Sequence, residues 1–153
     1  MLYFAYGSNM SRTQMRQRCP DHEVIGKAVL PGYALCFPRH SPIRNCGVAG
    51  IVEQPEAEVW GVVYRLHDED LAALDRREGY DPAKPAQVNR YNRKTVRVLM
   101  DGEALDCLTY LARAEPGKHV PSVEYMSALI TGAVEIGLPE DYVSRLRAFG
   151  TTV

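Results

Sequence analysis

The stretch YNRKTVRVLMDGEALDCLTYL, residues 91–111, decides how the chain is read. Two strand-like segments, 91–100 and 103–111, flank Asp101-Gly102. That dipeptide favours a type I′ turn, whose twist matches the strands it joins. An antiparallel hairpin is therefore expected here, and the rest of the chain is organised around it.

Upstream, residues 2–6 alternate with Leu2, Phe4 and Tyr6 on one face, which predicts a strand. Gly7-Ser8-Asn9 breaks it. Ser11 to Gln14 fits a capping box, predicting a helix to about Arg18, before Pro20. Residues 23–30 and 33–37 read as strands joined by a turn at Pro31-Gly32, with 38–46 irregular. Residues 47–52 and 59–66 read as a further strand pair across a polar connection, 53–58. A helix over 69–77 is expected between Asp68 and the C-capping Gly79. Residues 81–90 form a proline-containing loop. Downstream, Ser122 starts a helix that Gly137 ends, and Pro139 opens another reaching Phe149. Strands in the first two thirds and helices at the end predict an α+β fold: a small, mostly antiparallel sheet or barrel. No internal repeat or long linker divides the 153 residues, so a single domain over 1–153 is expected.

Composition narrows the function. Eighteen Lys and Arg against nineteen Asp and Glu leave a net charge of −1, giving no electrostatic case for nucleic acid or an anionic membrane surface. Arg12, Arg16 and Arg18 read as a solvated helix face. The start of the chain lacks a secretory pattern, and no window approaches the ~20 apolar residues of a membrane span; a cytoplasmic protein is expected. Four cysteines and four histidines are scattered, without CxxC or HExxH spacing, so neither a disulfide framework nor a metal site is expected.

Three features could carry chemistry. Strand, glycine-led turn and helix start at Gly7-Ser8-Asn9 make either a plain connection or a nest of amides able to hold a carboxylate or oxyanion. Glu78 follows Leu71 and Leu74 at i, i+3, i+7, so it falls on the inward face, at a helix C-terminus where negative charge is disfavoured. It is either a frayed surface residue or a buried carboxylate with a raised pKa, suited to acid–base work. Glu69, Asp70 and Asp75 fall where solvent exposure is expected. Nine tyrosines, against three Phe and one Trp, favour rings with a polar tip; Tyr6, Tyr64, Tyr91, Tyr110 and Tyr125 lie on or beside expected elements. There is no GxSxG elbow, no phosphate-binding glycine motif and no evident cysteine nucleophile.

These residues resemble a known family. Tyr3-Phe4-Ala5-Tyr6-Gly7-Ser8-Asn9, Val59-Trp60-Gly61-Val62-Val63-Tyr64 and Leu74-Asp75-Arg76-Arg77-Glu78-Gly79-Tyr80 are similar to γ-glutamylcyclotransferases. So are Thr109-Tyr110, Pro121-Ser122-x-x-Tyr125 and the tail from Gly132 to Pro139, in order over nearly the whole chain. The resemblance implies a compact β-barrel surrounded by helices, often a homodimer, needing no metal or organic cofactor. It implies conversion of small γ-glutamyl amides to 5-oxoproline with release of the amine. Carried over, Glu78 becomes the acid/base; Tyr6, Gly7, Ser8 and Asn9 the γ-glutamyl-binding loop; and Tyr91, Tyr110 and Tyr125 pocket tyrosines. The 81–90 loop is expected to shape the leaving-group side. Asn9 stands where the glutathione-specific branch has leucine, which argues against glutathione as the dedicated substrate. Two alternatives remain: a binding-only module on this fold, and removal of a γ-glutamyl protecting group from a biosynthetic intermediate.

Overall fold

A computed structural model describes residues 1–152. Five strands close into a barrel in the order β1-β3-β2-β4-β5: β1 (Leu2–Ala5), β2 (Glu23–Ser41), β3 (Cys46–Arg65), β4 (Tyr91–Met100) and β5 (Glu103–Ala112). All pairings are antiparallel except the closure, where Tyr3 of β1 meets Leu108 of β5 in parallel. The expected, mostly antiparallel barrel is thus observed, with one parallel closure. Four helices surround it: α1 (Arg12–Arg18), α2 (Asp68–Glu78), α3 (Val123–Ile136) and α4 (Glu140–Arg147).

The β4–β5 hairpin turns at Asp101-Gly102 as expected, with φ of 50° and 81° at the two central residues, the backbone a type I′ turn requires. The upstream strands differ from the sequence reading. Pro31-Gly32 is not a chain reversal but an irregularity inside one long strand. Pro31 pairs opposite Glu58 and Tyr33 opposite Glu53, so β2 and β3 remain partners on both sides. Pro31 has no N–H to give the ladder, and Gly32 adopts φ 83°; the register slips and pairing then resumes. The 53–58 connection is accordingly part of β3. The true reversal lies at residues 42–45, ending on Asn45 at φ 51°.

The barrel wall is buried on both faces where the helices cover it: the neighbouring Val62 and Val63 of β3 point to opposite faces, and both are buried, as are Phe4, Val59 and Val98. Four helix ends follow the expected chemistry, among them Gly137, which closes α3 at φ 78°. Ser11 Oγ accepts from Gln14 N at the start of α1, and Ser122 Oγ from Tyr125 N at the start of α3. Gly79 closes α2 in the left-handed conformation, at φ 72°. The start of α2 differs: His67 is the capping position, without a side-chain bond, and Asp68 is the first helical residue. Asp68, Glu69 and Asp70 thereby crowd the first turn, where the helix dipole favours negative charge. At the far end, α4 stops at Arg147, two residues earlier than expected.

Candidate active site

At one end of the barrel the chain leaves β1 and makes a single 3-10 turn, Ser8–Met10, before α1. Met10 N donates to Gly7 O and Ser11 N to Ser8 O, each at 3.0 Å. The amides of Gly7, Ser8 and Asn9 have no acceptor among the described residues. Helix α3 lies close on this turn because Gly132 has no side chain: a Cβ there would come within 2.4 Å of the Met10 backbone. The turn is therefore braced from behind, and Gly7, Ser8 and Asn9 line a solvent-open cavity of about 160 Å³.

Every residue carried over from the family resemblance lines that cavity: Tyr6, Gly7, Ser8, Asn9, Glu78, Tyr91, Tyr110 and Tyr125. Glu78 arrives at the last residue of α2, carried inward by the face that also buries Leu71 and Leu74. It is the one carboxylate on the wall among the described residues. Burial pushes its pKa above the ordinary carboxylate value; Arg18, a hydrogen bond from Asn9, Arg44 and Arg90 pull the other way without cancelling it.

Asn9, only 4% exposed, is the hub of this wall. Its Nδ2 donates to Glu78 Oε1 at 3.2 Å and to Tyr3 Oη at 2.9 Å. Its Oδ1 accepts from Gln14 Nε2 at 2.8 Å and Arg18 at 2.9 Å. Two donors on one side and two acceptors on the other fix the amide's orientation. A carboxylate oxygen thus faces a donor that cannot rotate away.

The tyrosines mostly form walls. Tyr6 Oη donates to Tyr110 O at 2.5 Å, Tyr91 Oη to Ala49 O at 2.8 Å, and Tyr110 Oη to Asp75 Oδ1 at 2.5 Å. Tyr125 Oη instead accepts from Ala49 N at 2.9 Å, which leaves its own proton free for a ligand. Its pKa is pushed up to about 12 by burial, so it stays a neutral donor. Tyr64 is core, donating to Asn9 O at 2.7 Å.

Sequence reasoning missed several wall residues: Tyr3, Arg18, Arg39, Arg44, Arg77 and Arg90. Arg18 is not on a solvated face. Once Ser11 fixes the phase of α1, Gln14 and Arg18 at i, i+4 point together toward Asn9, and that spacing was the available signal. Asp70 and Asp75 also depart from expectation. Asp70 is 7% exposed, and Asp75 is held by Tyr110 and by Arg93 at 3.6 Å. Among the described residues no group of three or more His, Cys, Asp or Glu is arranged to hold a metal, and no helix is long and apolar enough to cross a membrane.

A braced amide turn, an ionisable carboxylate and a tyrosine-walled cleft make a site for small-molecule acyl chemistry. Comparison with known proteins gives the family. The profile of the γ-glutamyl cyclotransferase, AIG2-like family matches residues 3–127. The γ-glutamylcyclotransferase of Homo sapiens is 32% identical over 152 residues, covering 96% of this chain and 77% of its own. That of Mus musculus is 31% identical with the same coverage. A solved γ-glutamyl cyclotransferase structure superposes with a TM-score of 0.90 at 30% identity, covering 99% of this chain and 89% of its own. The chain belongs to the γ-glutamyl cyclotransferase, AIG2-like family, and is an enzyme of that type acting on a small molecule.

Proposed function

We propose that the enzyme converts γ-glutamyl amino acids or γ-glutamyl amines to 5-oxoproline and a free amine, with Glu78 as general acid/base. The observation that carries this reading is the position of Glu78: the lone carboxylate on the cavity wall among the described residues, with a raised pKa and one fixed hydrogen-bond donor.

The substrate's α-ammonium must lose a proton before its nitrogen can attack the γ-carbonyl. A carboxylate with a raised pKa is a stronger base than an ordinary one and takes that proton. As the nitrogen adds to the γ-carbon, negative charge develops on the carbonyl oxygen. The free amides of Gly7, Ser8 and Asn9 are of the kind that stabilise such charge or hold the substrate's α-carboxylate. Glu78 then returns the proton to the departing nitrogen as the γ-carbon–nitrogen bond breaks, and the second proton of the new ring nitrogen is passed on in turn, so that the amine leaves as an ammonium and the ring keeps one N–H. Nucleophile and electrophile belong to one molecule, so no covalent enzyme intermediate is needed. The enzyme's main task is to fold the substrate toward a five-membered ring, and such alignment is worth roughly 7–11 kcal/mol in favourable systems.

The test is 5-oxoproline release from a panel of γ-glutamyl amino acids, γ-glutamyl amines and glutathione, with Glu78→Gln alongside. Release that disappears in the folded variant is expected. Substantial activity in Glu78→Gln would remove this residue from the proton-transfer role.

A further inference from the structure

The cavity carries more positive charge than a γ-glutamyl group calls for. Five guanidinium groups line it, and none has a carboxylate within 4.0 Å among the described residues. Two are structural. Arg39, 5% exposed, donates to the carbonyls of Arg90 and Arg113; Arg90 donates to the carbonyl of Arg77 and packs against Gly79. Arg18, Arg44 and Arg77 remain. All three line the same cavity wall. Burial lowers the Arg18 pKa; Glu78 raises it, and repulsion from Arg44 and Arg77 lowers it again.

Neutral acceptors hold two of these heads without neutralising them. Arg44 donates to Gln14 Oε1 at 2.7 Å and to Ser8 Oγ at 3.3 Å, with its guanidinium 5.0 Å from the centre of the Tyr125 ring. Arg18 donates to Asn9 Oδ1 at 2.9 Å. Like charges gathered in a partly desolvated cleft are unfavourable until an anion arrives. Glu78 offsets one of the three. The glutamyl head adds no net charge, because its ammonium and carboxylate cancel. The carboxylate of a leaving amino acid offsets the second, and one guanidinium is left over. Arg77 lies exposed near the end of α2 and Arg44 in the turn at residues 42–45, and both line the cavity.

We infer that Arg44 and Arg77, backed by Arg18, form a subsite for a second acidic group on the leaving amine, so that the preferred substrates are γ-glutamyl conjugates of acidic amino acids. This rests on the cyclotransferase reading above. Guanidinium–carboxylate pairing fits this role because the planar fork can bind both carboxylate oxygens.

The experiment compares kcat/KM for γ-glutamyl-glutamate and γ-glutamyl-glutamine, which differ in one charge and little in shape. A preference of about five- to tenfold for the glutamate conjugate is expected at low salt, the size of a partly exposed charge-assisted contact. It should shrink with added salt and in Arg77→Gln and Arg44→Gln. Equal or reversed efficiencies, with both conjugates turned over, would overturn the inference and leave the cyclotransferase reading intact. A preference that survives both substitutions would overturn the assignment to these arginines. If no γ-glutamyl amide yields 5-oxoproline, the cyclotransferase reading fails and takes this inference with it.

Discussion

Asp75 and Glu78 lie one turn apart on α2, and their surroundings are opposites. Asp75 is paired: Tyr110 donates to it at 2.5 Å and Arg93 approaches to 3.6 Å. Glu78 faces the cavity with one neutral donor, Asn9, and arginines that do not reach it as ion pairs. One carboxylate has its bonds made and holds the wall together. The other is kept short of partners, and burial raises its pKa. A shared helix therefore supplies a strut and, in the mechanism proposed above, a reagent from residues three positions apart.

Substitution at each position should fail in a different way. Glu78→Gln is expected to lower kcat by about 10²- to 10⁴-fold, the usual contribution of a general acid/base. Circular dichroism and an unchanged fold would confirm that the loss is chemical. Asp75→Ala should instead cost about 1–3 kcal/mol of stability, because it strands the Tyr110 hydroxyl without its acceptor. Denaturant unfolding measures this directly. An Asp75→Ala protein that is fully stable yet inactive would erase the distinction between the two carboxylates.

Asn9→Leu sharpens the contrast by removing the one donor that Glu78 has. That hydrogen bond lowers the Glu78 pKa, so its loss should move the acid limb of the kcat/KM profile to higher pH. Activity at the optimum should fall by about tenfold, the worth of one hydrogen bond to a charged group.

The smallest expected effect is one of stability. Glu78 has a folded pKa above its unfolded value. Below both values its burial costs nothing as a charge, and above both the ionised group destabilises the fold. Glu78→Gln should therefore raise Tm at neutral pH, and the gap should close as pH falls toward the ordinary carboxylate range. A Tm lowered at neutral pH would mean that Glu78 is a structural partner like Asp75.

What the sequence reveals follows the range of the interactions involved. Asp101-Gly102 and Pro31-Gly32 are both turn dipeptides, yet only the first reverses the chain. At 101–102 both residues need positive φ, a local demand met by these two residues. At 31–32 only Gly32 has positive φ, and the same backbone serves a turn or a bulge. Pairing with residues 53–58 decides, and no short window contains that information. The site divides in the same way. Glu78 was legible because a carboxylate interrupts an apolar helical face. Arg18 and Arg44 were not, because a charged residue on a short helix or in a turn ordinarily meets solvent, and only the folded chain brings them beside Asn9 and Ser8.

The central claim is that Glu78 is a poised base because the fold leaves it short of partners. The most direct measurement is a carbon-13 NMR titration of the Glu78 side-chain carboxyl, set beside the pH dependence of kcat/KM. A Glu78 pKa above the ordinary carboxylate value, coinciding with the acid limb of the rate profile, is the predicted result. A Glu78 that titrates at or below that value, or an acid limb that does not follow it, would contradict the account.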